Sequence, residues 1–369
     1  MESPLSFFSG LHDPRVERTK AHFLEDIIFI AISSVICGAD TWNDMELFGK
    51  SKEAWLRTIL RLPEGIPSHD TFNRVFSLLD PKELETGFLQ WTRSVAKLTE
   101  GEVVSIDGKS IRGSSFGDKK GIVHMVSAWA SENNIALGQL KVDDKSNEIT
   151  AISELLKLLA LKGCIVTIDA MGCQKGIASA IIDKGADYIL ALKSNQGNLL
   201  QQVQDSFRFL EAKSVSEEVE GDHGRVETRI CSAIDDLSMV RQKGWRNLQS
   251  LVRVESERYI KATGESKKEI RFYISSLPAN AALLNRSIRS HWRIENSLHW
   301  VLDVAFNEDH SRKRAGYAAQ SFSVISRIAL NLLKNELTAK HGIKGKRLKA
   351  GWDDKYLNKI LNVESFSQT

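Results

Sequence analysis

The feature that most constrains what this chain can fold into is a change of hydrophobic period at Glu102. Before it, apolar residues recur at helical spacing, as in Phe23, Ile27, Ile28, Ala31, Ile32 and Val35. After it the pattern is that of strands. Val103–Ile106 is rich in β-branched residues and ends at Asp107-Gly108, Val123–Ala130 alternates, Glu132-Asn133-Asn134 makes a turn, and Ile135–Val142 returns. An amphipathic helix over Glu148–Leu161 follows, then a short buried strand, Cys164–Ile168, that ends at Asp169. A helix over Lys175–Lys184 and a strand over Tyr188–Leu192 complete the order βββαβαβ. Three antiparallel strands followed by parallel additions through helical crossovers predict an α/β fold, a mixed sheet with helices on its faces.

The rest of the chain is organised around that unit. Residues 1–95 read as an N-terminal helical domain, cut into several helices by turn and cap signals at Asp40-Thr41 and Pro67-Ser68. Within it Ser68–Phe76 is a candidate recognition helix, capped at its start and exposing His69, Asn73 and Arg74. Residues 197–278 read as a β-rich insertion whose best strands are Arg225–Ile234, Leu248–Glu255 and Glu269–Ser276. Helical periodicity resumes over Asn280–Leu302 and Ser321–Leu337, so 96–196 and 279–340 form one core interrupted by the insertion.

A 369-residue chain with 42% hydrophobic and 26% charged residues can bury a sizeable core, which excludes disordered and fibrous classes. No apolar run is long enough for a membrane span and the N-terminus lacks a signal pattern, so a cytoplasmic protein is expected. Cys37, Cys164, Cys173 and Cys231 stand too far apart for a zinc or disulfide framework and are expected to be small buried hydrophobes. The net charge of +3 conceals an asymmetry: from His310 onward twelve Lys and Arg face four Asp and Glu, a local +8, against −5 for everything before. A basic end on a near-neutral body points to a polyanionic partner. Residues 341–369 form a basic segment in which Lys344, Lys346 and Arg347 are candidate phosphate contacts, with Gly342 and Gly345 as flexible joints.

Asp107 and Asp169 end the first and fourth strands, which this strand order makes neighbours, so the two carboxylates should approach one another at the end of the sheet. Close carboxylates repel unless a divalent cation lies between them, and oxygen-ligated Mg²⁺ suits phosphoryl transfer. A third carboxylate is expected from the later helix, where His291, Glu295 and His299 share a polar face beside a buried stripe of Ile294, Leu298, Val301 and Ala305. Asp303, Glu308 and Asp309 are rival carboxylates, and the His spacing also admits a zinc reading. All three carboxylates of one two-metal site should lie within about 10 Å of each other.

Five motifs carry a resemblance: Asp107-Gly-Lys-Ser-Ile-Arg-Gly, Ile168-Asp169-Ala with Gln174-Lys175, Leu192-Lys193-Ser-Asn195-Gln196, His223-Gly224-Arg225-Val-Glu227-Thr-Arg229, and the stretch from His291 through Glu295 and His299 to Asp303. In this order they resemble the H-repeat-associated transposases of bacterial insertion sequences, over nearly the whole chain. The resemblance implies a DDE transposase with an RNase H-like core, a β-rich insertion before the catalytic Glu, and an N-terminal helical region of the family's associated type. It implies Asp107, Asp169 and Glu295 as catalytic and metal-binding triad, Mg²⁺ or Mn²⁺ as cofactor, and the terminal inverted repeats and target DNA as double-stranded partners, bound by a homodimer. Where related transposases carry an Arg four residues before the Glu and a Lys seven after it, this chain has His291 and Leu302.

Other candidates for DNA contact are Lys109 and Arg112 beside the first Asp, Lys193 and Asn195 after the strand that follows the second Asp, Arg225 and Arg229 on one strand face, and His291, Arg293 and His299 around the Glu. The leading functional reading is metal-dependent phosphodiester hydrolysis and strand transfer at insertion-sequence ends. The alternatives are a DNA-binding remnant or repressor without catalysis, and a metal-dependent nuclease without strand transfer.

Overall fold

The structure, a computed structural model, describes residues 3–17, 20–115, 121–143, 146–222, 224–241 and 243–363. Five helices open it: α1 (Leu24–Ile36), α2 (Trp42–Ser51), α3 (Glu53–Leu56), α4 (His69–Leu78) and α5 (Pro81–Val95). Residues Asp26–Ile36 of α1 are buried on every side, as expected of a helix that is apolar all round. The Ser68 side chain accepts the Thr71 N–H to cap α4, and Asp80 with Pro81 begins α5 in the usual N-terminal manner.

The sheet begins with β1 (Val103–Ile111), β2 (Val123–Ala130) and β3 (Ile135–Lys141). Then α6 (Glu148–Leu158), β4 (Ile165–Ile168), α7 (Lys175–Asp183) and β5 (Asp187–Leu192) alternate. β1 pairs antiparallel with β2 and parallel with β4, and β4 pairs parallel with β5. The neighbourhood of first and fourth strands thus follows from the element order.

The segment after β5 is less purely extended than its sequence suggests. It opens with a helix, α8 (Gly197–Phe209), before β6 (Ser214–Asp222), β7 (Arg225–Ile234), β8 (Ser250–Ile260) and β9 (Glu265–Ser275). These four strands also continue the first sheet: β9 pairs antiparallel with β5, giving nine strands in the order β3-β2-β1-β4-β5-β9-β8-β7-β6. β8 and β9 are buried at the ends nearest β5 and exposed at the far ends, so their hairpin reaches into solvent. The chain returns through α9 (Ala281–Ile294), a π-turn (Glu295–His299), α10 (Trp300–Phe306) and the buried α11 (Ala318–Asn335). It finishes with α12 (Ile343–Trp352) and α13 (Asp354–Leu361), where the basic segment had been expected to be jointed by glycines.

Both faces of the sheet are covered, and strand parity decides which residue meets which cover. Val104, Ile106, Val166 and Ile168 pack with Ile152 and Leu155 of α6 and Ile177 of α7. Val103, Ile165, Ile189 and Val252 pack with Ala281, Leu284 and Ile288 of α9 on the other face. A third core joins α1, α4 and α5 to α11 and α13, with Phe29, Phe72, Phe88, Ile328 and Leu357 among its members. The N-terminal helices therefore share an interior with the helices that follow the site. Three of the four cysteines are buried thiols and Cys37 is half-buried. No helix of the described residues is long and apolar enough to cross a membrane.

Candidate active site

Because Val103 faces α9, so do the odd-numbered residues after it on β1: Ser105, Asp107 and Lys109. The same parity turns Thr167 of β4 towards α9, with Asp169 one residue beyond the strand's end. β4 stops opposite Ile106, whereas β1 runs on for five residues paired only with β2. Asp107 is therefore not the strand terminus its Asp-Gly sequence suggests; it sits where β1 outruns its parallel neighbour. Gly108 keeps the strand going, since a Cβ there would stand 2.7 Å from His124 Nε2 and 2.8 Å from Glu148 Cδ, packed behind it. Asp107, just past the last β1 residue paired with β4, and Asp169, just past the end of β4, thus emerge side by side, and with Glu295 they line one cleft of about 780 Å³.

Burial pushes the Asp107 carboxyl up to about 6, only partly countered by His299 and the Gly108 amide, with Asp169 and Glu148 adding repulsion. Asp169 is also raised, by burial and by Glu148, although its Oδ1 accepts the amides of Met171 at 3.0 Å and Gly172 at 3.4 Å. Glu295 opens the π-turn and is lowered, chiefly by the His299 imidazole. His299 is 2% exposed, with Nδ1 3.1 Å from Glu295 Oε2 and 3.5 Å from Asp107 Oδ2. One ligand atom each from Asp107, Glu295 and His299 lies within 4.8 Å of the others, a group able to hold a metal ion. Asp169 stands outside that group but shares the cleft. Half-buried Asp107 and Asp169, with the exposed Glu295 and the buried His299 imidazole, form a donor set suited to a divalent cation, which would offset the burial and the repulsion from Asp169 that raise Asp107.

The profile of the family described as "Transposase DDE domain" matches residues 98–332, and that described as "DDE_Tnp_1-associated" matches residues 5–92. The chain belongs to the DDE transposase family. It is 43% identical over 373 residues to the protein named "Putative transposase YncI" of Escherichia coli O157:H7, covering 98% of this chain and 95% of that one. It is 40% identical over 352 residues to the "H repeat-associated putative transposase YhhI" of Escherichia coli (strain K12), covering 92% of each. A piggyBac transposase synaptic complex with hairpin DNA aligns over 96% of this chain and 76% of its own, with TM-score 0.46 and 10% identity. The observed nine-stranded mixed sheet with helices on both faces is the α/β architecture expected, and DDE transposase domains use divalent metals.

Several residues of this DDE transposase that sequence marks as DNA contacts are otherwise engaged. The Lys109 ammonium lies 2.7 Å from Asp303, 2.9 Å from Asp309 and 3.3 Å from Glu308, so the three rival carboxylates form its cage. Glu308 is buried rather than solvated and also pairs with Arg327 at 2.9 Å. His291 Nδ1 is 3.0 Å from Thr167 Oγ1, and burial pushes its pKa down to about 4, so it is a neutral part of the cleft wall at pH 7 and not a phosphate-binding cation. His299 is buried against carboxylates, away from the shared polar surface its spacing suggests.

Asn195 donates to the Ala170 carbonyl at 2.6 Å and so fixes the loop after Asp169. On β7, Glu227 lies between Arg225 and Arg229 and pairs with Arg229 at 2.5 Å, so that strand face is mixed in charge rather than basic. Lys346 is buried and donates to the carbonyls of Leu333, at 2.9 Å, and Glu336. Arg347 is buried as well, donating to the carbonyls of Val35, Ala39 and Ala305 and pairing with Asp40 at 2.9 Å. Both tie the C-terminal helices to the body because the open carbonyl ends of α1 and α11 need donors.

Arg112, Lys193, Arg225, Arg293 and Lys344 remain exposed. Lys193 lines the cleft close enough to Asp169 to offset a little of its upward shift. Arg293 donates to the Ser131 carbonyl at 3.2 Å. In the candidate recognition helix, His69 pairs with Glu46 at 2.7 Å while Arg74 is exposed. His223, first residue of the fourth motif, and residues 364–369 of the basic segment lie outside the described residues. Glu148 and His124, 3.0 Å apart behind Gly108, escaped sequence reasoning because their partner lies across a strand rather than along it.

Proposed function

We propose that the protein cleaves the phosphodiester bond at the ends of its insertion sequence and joins the freed end to target DNA, with Asp107, Asp169 and Glu295 as the catalytic carboxylates. The observation that carries this reading is the convergence of the three on one cleft, from β1 where it outruns β4, from the end of β4, and from the π-turn. In the first step water attacks the phosphorus at the element's end, one P–O bond breaks, and a 3′-hydroxyl is freed. In the second that hydroxyl attacks a target phosphodiester and displaces a target 3′-hydroxyl.

The three carboxylates would hold Mg²⁺ or Mn²⁺, which activates the attacking oxygen and steadies the leaving one. Asp169 contributes a carboxylate whose Oδ1 is already fixed by two backbone amides, so its second oxygen is the free donor. Asp107, raised by burial, is poised to gain most from a cation. Lys193, exposed at the cleft, and Arg112, exposed just beyond β1, supply positive charge for the DNA backbone, and Lys344 and Arg74 extend that role away from the cleft. An element has two ends and each chain has one such cleft, so one copy serves each end and the DNA-bound form is a homodimer.

The test is to incubate the protein with Mg²⁺ or Mn²⁺ and a linear DNA bearing the element's own flanks together with a supercoiled target. Cleavage at the ends with covalent joining to the target is expected. End cleavage without joining would make it a nuclease, and end binding without cleavage under either metal would leave a DNA-binding protein only.

A further inference from the structure

We propose that His299 is a nitrogen ligand of the cation held by Asp107 and Glu295, so that this site favours Mn²⁺ over Mg²⁺. The inference rests on the functional reading above and adds a donor that the carboxylate triad does not include.

The first argument is distance. Adjacent ligands of a six-coordinate cation with bonds of about 2.1 Å stand about 3 Å apart. His299 Nδ1 lies 3.1 Å from Glu295 Oε2 and 3.5 Å from Asp107 Oδ2, and the three ligand atoms fit within 4.8 Å. That spacing is the one neighbouring positions around a single ion require.

The second argument is what fixes the imidazole. His299 is 2% exposed, and its Nε2 has no hydrogen-bond partner among the described residues. Among the described residues no hydrogen bond holds its Nε2 edge, whereas its Nδ1 edge faces two carboxylates. A surface contact to DNA is closed to a side chain so deeply placed. The π-turn contributes here, because Glu295 and His299 are its first and last residues and it brings both to Asp107; such turns are frequent at functional sites.

The third argument is chemical. Mg²⁺ strongly prefers oxygen ligands, whereas imidazole nitrogen suits the first-row transition ions. A site of two carboxylate oxygens and one imidazole nitrogen therefore takes Mn²⁺ in preference. Asp169 lies outside the 4.8 Å group and adds no second nitrogen to it.

The test uses the full-length protein freed of metal with a chelator and titrated with Mn²⁺ alone. Bound Mn²⁺ is counted by electron paramagnetic resonance, and its ligands are read by electron spin-echo envelope modulation. A nitrogen modulation is expected in the wild type, and it should change to the ¹⁵N pattern when the histidines are ¹⁵N-labelled. It should vanish in His299→Gln and persist in His291→Gln. His299→Gln should weaken Mn²⁺ binding about tenfold and Mg²⁺ binding, measured by competition, by less than about threefold. If His299→Gln does not fold, the labelled wild type decides the matter unaided.

Mn²⁺ bound with no nitrogen modulation would overturn the proposal, leaving His299 as a hydrogen-bond partner of Glu295 and the carboxylate reading intact. A modulation that disappears in His291→Gln but survives in His299→Gln would overturn it as well. Failure of the wild type to bind Mn²⁺ or Mg²⁺ at all would overturn both this proposal and the functional reading beneath it.

Discussion

Replacing Lys109 by Met removes the ammonium from a cage of three carboxylates while keeping most of the side chain's volume. Its Nζ is 2.7 Å from Asp303, 2.9 Å from Asp309 and 3.3 Å from Glu308, and the Lys109 and Glu308 side chains are 9% and 3% exposed. Arg327 still pairs with Glu308 at 2.9 Å, and the exposed Arg112 lies 3.4 Å from Asp309, which leaves about one carboxylate without a close counter-charge. Breaking a buried pair from one side costs about 3–5 kcal/mol. For a chain of 369 residues, with an unfolding entropy of about 2.1 cal/mol/K per residue, that lowers Tm by roughly 4–6 °C.

The pH dependence follows from two opposite shifts. Burial works to raise the Glu308 carboxyl, but Arg327 and Lys109 hold it below its ordinary value, so its stabilising contribution is present above the unfolded value of about 4.3 and is lost as pH falls. Burial works to lower Lys109, but Glu308, Asp303 and Asp309 hold it above its ordinary value, so its contribution is present below about 10.4 and is lost as pH rises further. The deficit of Lys109→Met should therefore be full at pH 7.5 and shrink towards pH 4. Calorimetric melting at both pH values, with Lys109→Met/Asp309→Asn recovering part of the loss, is the assay. An equal deficit at pH 4 and 7.5, or a change in Tm below about 1 °C, would refute the electrostatic account.

Three further outcomes are expected. Asp107→Asn, Asp169→Asn and Glu295→Gln should each reduce end cleavage by about a thousandfold or more in a gel assay, with binding of the ends in a mobility-shift assay held or tightened as repulsion of phosphate falls. Burial pushes Glu85 up to about 7 even though Gln320 donates to it at 2.9 Å, so its charge costs stability as pH rises from about 4.5 through 7. Glu85→Gln should then stabilise by about 2–3 kcal/mol at pH 8 and leave Tm at pH 4 nearly unchanged, as melting at both pH values will show. Lys346→Met should lower Tm without altering the salt slope of DNA binding, whereas Lys344→Gln should flatten that slope by about one contact and leave Tm alone, as titrations at several salt concentrations will show.

The order of strands and helices through β5 was legible because each element there carries its own period and each turn its own residues. The pairing of β1 with β4 follows from that order, and with it the approach of Asp107 and Asp169. Gly108 was misleading for a physical reason: Asp-Gly commonly closes a strand, and only the tight packing of His124 and Glu148 explains a glycine in its middle. α8 escaped because its sequence, Gly197 to Phe209, begins with a weak helix former and sits among strand-like neighbours. The joining of β9 to β5 involves backbone partners about 80 residues apart, which local periodicity does not register. The basic C-terminal segment shows the limit of charge counting: Lys346 and Arg347 look like their neighbour Lys344, and only the carbonyl ends of helices far away in sequence put them inside.

The π-turn also sets the phase of everything after it. Residues eight apart on a regular helix point about 80° away from one another around the axis. Glu295 and Asp303 are eight apart, yet the first meets the surroundings of Asp107 and the second meets Lys109, two residues along the same face of the same strand. The wider turn between them takes up most of that angular offset and lets one helix serve both positions. Rewinding Glu295–His299 into regular helix at unchanged chain length would restore the offset of about 80°, and the helix could then satisfy the carboxylate cluster or the lysine cage, but not both.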